Sequence, residues 1–386
     1  MWSLLTASRY INQLMIRSLF RFLALVPGWH TKRHIVVIES DDWGSIRMPS
    51  KEVYEQLLYD GFDVDKDLFS KYDSLERGED LSSLFEVLQS VKDKNGNPAI
   101  MTANSVVVNP DFDKVEADGF ATYHYELTTE TYKHQPGCEN SHVLIQQGMS
   151  EKVWQPQLHG REHLNVIRWM KALQSEDEIT RLCFGQRHFS LTKASSPKVK
   201  ARFMDAFANA APESLKYETA ILQEAADLFE KQYGFRSKSF IAPCYIWKRE
   251  LEPVMKECGI DYLQGLSLQQ IPVNDEPLKY KSKYHYLGQK NKLGQTYLVR
   301  NAFFEPYKGG AVDWTDECLK RVEIAFNCHK PAIISTHRLN FIGALDVAFR
   351  DNNLKKLEAL LLNITKHWPD VEFMSSDQLG DVINGK

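Results

Sequence analysis

The chain's most regular hydrophobic feature is an apolar run from Ile35 to Ile38, broken abruptly by Glu39, Ser40, Asp41 and Asp42 within HIVVIESDDWG. A short β-branched run bounded in this way predicts a strand buried on both faces, as in a parallel sheet. Comparable runs predict strands in AIMTANSVVV (Ala99 to Val108) and in PAIISTH, which closes on His337, with shorter ones in SKSFIAP, IDYLQGLS and VEFMS. Between them the spacing turns helical. Lys51 to about Leu58 follows the N-cap candidate Ser50, and helices are predicted over Leu81 to Lys92, Trp314 to Asn327, Leu345 to His367 and SDQLGDVI. YHYLGQKNKLGQTYLVRN reads as a β-hairpin turning in KNKLG.

Strands alternating with helices predict an α/β fold around a parallel sheet. Two stretches stand apart from this rhythm. Between Asn109 and Gln155 periodicity fades into a polar, aromatic segment that reads as a substrate-facing loop. After Gly160 the spacing becomes helical through Leu164, Ile167, Trp169 and Leu173, and it stays mainly helical to Gly234, with breaks near Ser195 to Pro197 and near Pro212. These stretches give insertions around 110–150 and 190–235 in a single domain spanning 31–386.

Chemistry in such folds sits at the carboxyl ends of the strands. Asp41 and Asp42 occupy that position, but neighbours on a regular strand face opposite ways, so they share a site only where the strand ends or bulges. Gly44 permits that departure. In HGREH, His159 and His163 are four apart; at a helix start they would lie on one face about 5–6 Å apart, a suitable bite for one metal ion. Two histidines with one carboxylate leave coordination positions open for water and substrate. The order differs from the metalloprotease pattern HExxH. His337, ending a buried strand, is placed by scaffold rather than by a loop.

Composition narrows the function classes. With 386 residues, a net charge of −4 and both signs mixed along the chain, there is no basic footprint for nucleic acid. No Gly-rich strand-to-helix turn marks a dinucleotide or phosphate loop. Six cysteines without a CxxC pair suit free thiols in a reducing compartment, so a cytoplasmic location is expected. Residues 1–30 form a separate apolar segment, expected to be helical and interrupted by Arg9, Arg17 and Arg21. It is too broken to span a bilayer. Packing on the domain, peripheral contact with a membrane surface and a cleaved signal all remain open.

The motifs together resemble the polysaccharide deacetylase family, the NodB-homology domain of carbohydrate esterase family 4. Its TFDDG corresponds to ESDDWG here, its HSxxH or HTxxH to HGREH with Gly160 at the hydroxyl position, and its apolar strand ending in LxH to IISTH. The third motif, RxPYG, corresponds to IAPCY, where Pro243 is kept and Ile241 replaces the arginine. In outline the resemblance runs from Arg33 to Asp381, in a divergent branch similar to proteins encoded with surface-polysaccharide synthesis.

The resemblance implies a distorted (β/α) barrel with helical insertions and a metal-dependent N-deacetylase acting on an N-acetylated carbohydrate. It implies Asp42, His159 and His163 as ligands of one divalent ion, with zinc expected, Asp41 as general base and His337 as general acid. A backbone N–H near Cys244 or Tyr245 would hold the oxyanion. The missing arginine leaves Asp41 in need of another cation, with Arg300 the first candidate and Arg161 the second. It also raises an alternative, a catalytically degenerate carbohydrate-binding protein on the same fold. A glycosidase would need two separated carboxylates, which adjacent Asp41 and Asp42 do not provide.

Further candidates for substrate or supporting contacts are Trp43, Cys244, Tyr245, Arg300, Asn301 and Glu305. Each has a plainer reading. Trp43 and Trp154 either stack on a sugar or fill the core; Arg300 and Glu305 either serve Asp41 or form a surface ion pair; Arg161 and Glu162 either support the ligands or are solvated helix residues. Asp313 beside Trp314 is read as an N-cap, and Cys244 as structural.

Overall fold

A computed structural model describes residues 25–189 and 191–386, so the expected N-terminal segment falls outside it up to residue 24. Nine strands build the main sheet. They are β1 (Ile35–Trp43), β2 (Met101–Ser105), β3 (Trp154–Leu158), β4 (Ser239–Phe240), β5 (Tyr262–Gly265), β6 (Thr296–Val299), β7 (Ala302–Phe303), β8 (Ala332–His337) and β9 (Glu372–Met374). Their order is β6-β5-β4-β3-β2-β1-β8-β7, every pair is parallel, and β9 pairs with the first residues of β1. β6 and β7 are separated only by Arg300 and Asn301, so the two ends of the path are one chain segment. Arg300 N–H donates to Gly265 C=O at 3.0 Å on one side, and Asn301 N–H to Ile333 C=O at 3.1 Å on the other. The result is the expected distorted (β/α) barrel.

β1 is buried from end to end, which explains its unbroken apolar start. Its alternate residues separate two layers. Val36 and Ile38 pack with Leu81, Leu354 and Leu357 from the helices Gly78–Ser90 and Val347–His367. Ile35 and Val37 pack with Leu298, Ile333 and Leu379, the last from the terminal helix Ser376–Ile383. Two residues further along that second face come Glu39 and Asp41, so one side of a single strand passes from apolar core to buried charge.

Several expectations change. The turn expected in KNKLG forms, with an antiparallel bridge between Lys290 and Thr296 and Tyr297 N–H donating to Gln289 C=O at 2.9 Å, but Thr296–Val299 is also a parallel barrel strand beside β5, and a longer hairpin lies earlier, Leu268–Asp275 against Leu278–Tyr284. The stretch after Asn109 is largely structured, with helices Phe112–Ala117, Thr128–His134 and Ser141–Ser150. Over 186–189 and 191–213 the chain is irregular where helix was expected, and the next helix, Ser214–Tyr233, stops at Gly234 in a left-handed cap. HGREH is not a helix start. Gly160 has φ +97°, and the helix begins only at Val166, capped by Asn165.

Arg338, fully buried, fastens the turn at Asp73 to Glu76 onto the end of β8, with ion pairs of 3.0 Å to Asp73 and 2.8 Å to Glu76. Its removal would leave buried Glu76 without a cation and Asp73 with Arg47 alone. Arg338→Met is expected to lower the unfolding free energy by on the order of 3–5 kcal/mol, as read from the midpoint and slope of urea denaturation.

Candidate metal centre and active site

The adjacent aspartates reach one cavity because β1 is irregular at its end. The β1–β2 register shifts between Ser40 and Trp43, and Asp42 has φ +82°. A non-glycine residue in that region is strained by roughly 1–2 kcal/mol. Asp41 stays in register opposite His337 on β8, so base and acid candidates are cross-strand neighbours.

Asp42, His159 and His163 form a buried cluster whose potential ligand atoms all lie within 4.8 Å of one another. The Asp42 Oδ1 is 3.1 Å from His163 Nε2 and 3.5 Å from His159 Nε2. His159 Nδ1 lies 2.9 Å from the Ile241 carbonyl, which can only accept, so Nδ1 carries the proton and Nε2 presents a lone pair. That Nε2 is buried without a hydrogen-bond partner. A lone pair facing a carboxylate is repulsive unless a cation lies between them, and this donor set therefore fits a divalent metal ion. Burial and the nearby Arg47 push His163 down to about 4, which keeps the imidazole neutral, as a ligand must be. Burial also disfavours the Asp42 carboxylate, but Arg47 and His163 outweigh it and hold the carboxyl well below its ordinary range. Arg47 lies 3.3 Å from Oδ2, the oxygen turned away from the histidines.

Asp41 is gripped by Arg300 in a two-pronged ion pair, Nη2 to Oδ1 at 2.6 Å and Nη1 to Oδ2 at 2.7 Å. Arg300 Nε reaches Glu39 at 2.5 Å, and Nη1 also donates to Tyr245 Oη and Ser335 Oγ at 3.1 Å each. Asn104 donates to Asp41 Oδ1 at 2.8 Å. Burial works against the ionised form, yet Arg300 brings the Asp41 carboxyl down to about 2. Orientation is gained at the expense of basicity.

His337 Nδ1 lies 2.7 Å from Glu305 Oε1, and Asn340 donates to the other Glu305 oxygen at 3.1 Å. Burial opposes the imidazolium, but Glu305 raises it to about 9, so His337 is cationic at neutral pH. All five residues line a cavity of about 180 Å³, walled also by Phe69, Met204 and Tyr245.

The remaining expectations fare unevenly. Arg300 is buried and its partners are Asp41 and Glu39, not Glu305 on a surface. Arg161, the second candidate for Asp41, instead pairs with Glu162 and Glu224, and Arg161 and Glu162 are buried in a loop rather than solvated on a helix. Trp43 is buried in the core edge-on to Trp154, which rules it out as a sugar platform. Asn301 clips β7 to β8 by bonding Pro331 C=O and Ile333 N–H, so it is a scaffold residue. Tyr245 N–H is committed to Ala242 C=O, which leaves Cys244 N–H as the oxyanion candidate; Cys244 lines the cavity in a left-handed conformation, φ +58°. Asp313 is the expected N-cap, accepting from Thr315 and Asp316. Glu39, Arg47 and Asn104 escaped the sequence reading. For Glu39 a signal existed, since it shares strand parity with Asp41.

A folded-state value above the ordinary 6.5 means that the His337–Glu305 pair stabilises fully below about pH 6.5 and loses this contribution as pH rises through about 9. In chelator-treated protein, Glu305→Gln is expected to lower the thermal midpoint by on the order of a few °C at pH 6 and progressively less above pH 9. A midpoint difference that does not vary with pH would remove the charged pair from this account.

The sequence matches no family model and none of the curated proteins. Solved structures do match. A protein assigned as a glycoside hydrolase/deacetylase, from Parabacteroides distasonis, aligns with a TM-score of 0.50 at 9% identity, covering 92% of this chain and 72% of that one. One assigned as a polysaccharide deacetylase, from Mycobacterium smegmatis, gives 0.47 at 10% identity over 94% of each chain. A CE4 family pseudoenzyme from Bacillus anthracis gives 0.39 at 10% identity, covering 91% of this chain and 67% of its own. The chain is thus built on the curled (β/α) barrel of the NodB-type polysaccharide deacetylases.

Proposed function

We propose that the chain is a metal-dependent hydrolase that removes N-acetyl groups from a carbohydrate. The two-pronged Arg300 contact on Asp41, next to the Asp42, His159 and His163 cluster, carries this reading. Without a cation on Asp41 the departure at Ile241 would favour a degenerate binding protein; Arg300 supplies one from the β6–β7 crossing.

Asp42, His159 and His163 would hold the ion, and a nitrogen-and-oxygen donor set of this kind suits zinc. Such an ion supplies positive charge that acidifies water and polarises an acyl oxygen. The protein's own groups do the rest. Asp41, fixed by Arg300 and Asn104, accepts the proton surrendered by the attacking water. Its low basicity suits it to receive a proton from water that a bound ion would have acidified, rather than to abstract one from bulk water. His337, cationic through Glu305, has its second ring nitrogen available for the cavity and donates a proton to the departing amine. An amine is too basic to leave unprotonated, so this step sets the requirement for an acid. Cys244 N–H in the cavity wall would stabilise the developing oxyanion.

Acetate release from a panel of N-acetylated oligosaccharides and glycan precursors tests the reaction. His337→Ala and Asp41→Asn are each expected to retain metal and fold while losing on the order of 10²–10⁴ in turnover. His163→Ala should lose metal, by elemental analysis, together with activity. Full turnover in a folded His337→Ala protein would refute the acid assignment.

Arg300→Lys provides a separate check on orientation. A lysine keeps one charge but cannot bridge both oxygens of Asp41 and Glu39 at once. Turnover is expected to fall by on the order of 10-fold or more, with KM changed much less; wild-type kinetics in this variant would show that the fork does not position the base.

A further inference from the structure

The proposed reaction uses only part of the cavity wall. The same cavity is also lined by Asp67, Phe69 and Ser70, at the short helix Leu68–Tyr72, and by His188 and Thr192 from the irregular stretch after residue 185. These two segments are joined within the wall. Ser70 Oγ donates to Asp67 Oδ2 at 2.8 Å, and Thr192 Oγ1 donates to the same oxygen at 3.2 Å. Among the described residues, Asp67 Oδ1 receives only the long Phe69 N–H contact of 3.3 Å, and no lysine, arginine or histidine pairs with Asp67.

His188 stands in a similar position. Its backbone N–H is fastened to Cys183 C=O at 2.9 Å, at the end of the helix Glu178–Gly185, so the ring is held in place by scaffold. The residue is buried, yet no hydrogen bond reaches either ring nitrogen among the described residues. Nδ1 is enclosed, which leaves Nε2 as the nitrogen accessible to an occupant of the cavity. Burial and the nearby Arg47 push the imidazole down to about 4, so it is neutral, with one nitrogen a donor and the other an acceptor. A side chain that merely filled the wall would serve better apolar, because a buried polar group without a partner is destabilising.

This part of the wall adjoins the proton donor. Phe69 meets the His337 ring edge-on, with centroids 5.7 Å apart. A departing amine faces His337, so the sugar that carries it lies on the side of Asp67, Phe69 and His188. The cations nearby are already engaged, Arg47 with Asp42 and Asp73, and His337 with Glu305. A hydroxyl group suits such a wall, since it can donate to a carboxylate and can either donate to or accept from Nε2. A carboxylate or phosphate on the sugar would face Asp67 with no cation to spare. We propose that Asp67 and His188 determine specificity, holding hydroxyl groups of the substrate's sugar and favouring an uncharged sugar over an anionic one. The proposal rests on the deacetylase reading for which end of the substrate faces His337.

The test compares acetate release from tetra-N-acetylchitotetraose and from a hyaluronan tetrasaccharide in wild type, His188→Leu, His188→Gln and Asp67→Asn. Equilibrium titration in the Asp41→Asn background measures binding of the same sugars without turnover. Wild type is expected to prefer the neutral sugar. His188→Leu should raise KM for it by on the order of 10-fold with kcat little changed, and His188→Gln, which restores a donor and an acceptor, should recover most of the loss. Asp67→Asn should narrow the preference for the neutral sugar by on the order of 10-fold. Thermal midpoints check folding, with His188→Phe as the substitute should the leucine variant unfold. A role in packing alone would lower the midpoint and leave KM and preference unchanged, which would overturn the proposal. Wild type that binds neither sugar, or both equally, would overturn it as well. Weakened titration by His188→Leu with no acetate released by any of the proteins would refute the deacetylase reading and support the sugar contact.

Discussion

The structure depends on one buried guanidinium. Glu39 and Asp41 both point from β1 into the barrel, where two ionised carboxylates without a counter-ion would be prohibitively costly. Arg300 satisfies both, and it does so from the two-residue crossing that joins the ends of the strand path. Closing the barrel and charging the site are therefore the same event. The sharing is unequal. Asp41 receives two guanidinium contacts and is driven down to about 2, whereas Glu39 receives one, with a Ser376 hydroxyl at 2.6 Å on its other oxygen, and burial leaves its carboxyl above the ordinary range. The tighter grip falls on the site-facing carboxylate.

The same device recurs around the cavity. Arg47 joins Asp42 to Asp73, and Arg338 joins Asp73 to Glu76. Each of these buried carboxylates thus has a guanidinium able to serve two acceptors in a fixed plane, a geometry lysine cannot reproduce. These pairs lock the strand ends from outside while the Asp42 oxygen facing His159 and His163 is left to other chemistry. The network supplies rigidity more securely than net stability, since desolvation offsets much of its attraction.

What the sequence made legible follows from how locally each feature is encoded. The apolar runs into Asp41 and His337 are self-contained signals, and both strands form where expected, side by side. Trp314–Asn327 likewise follows from helical spacing behind an Asp313 cap. Thr296–Val299 was harder, because its partner Tyr262–Gly265 is distant in sequence and a Gly-containing turn precedes it. Local turn chemistry favoured a hairpin, which forms over its first residues; tertiary pairing made the same strand part of the barrel. HGREH misled differently, as four-residue spacing suggests one helix face, yet Gly160 at φ +97° bends a loop that brings the same two rings to centroids 5.0 Å apart. Arg47 had no local sign at all, because its meaning comes from Asp42 and Asp73 meeting it in space.

Arg300 shows why position in a motif is a weaker guide than the electrostatic requirement behind it. Ile241 removes a cation from the place where the family pattern expects one, and taken alone that loss argues for an inert site. The carboxylates it would have served remain buried, however, and a fold cannot leave them so without recovering positive charge from elsewhere. A guanidinium entering from β6 can meet Asp41 as well as one entering after β4, because both strands end at the same rim of the barrel. In this chain the constraint is met by a residue on a different strand from the one the motif points to. Whether the arrangement turns over substrate then depends on Asp41 and His337 sharing a cavity with the metal ligands, and the left-handed turn at Asp42 is what makes adjacent aspartates face it together.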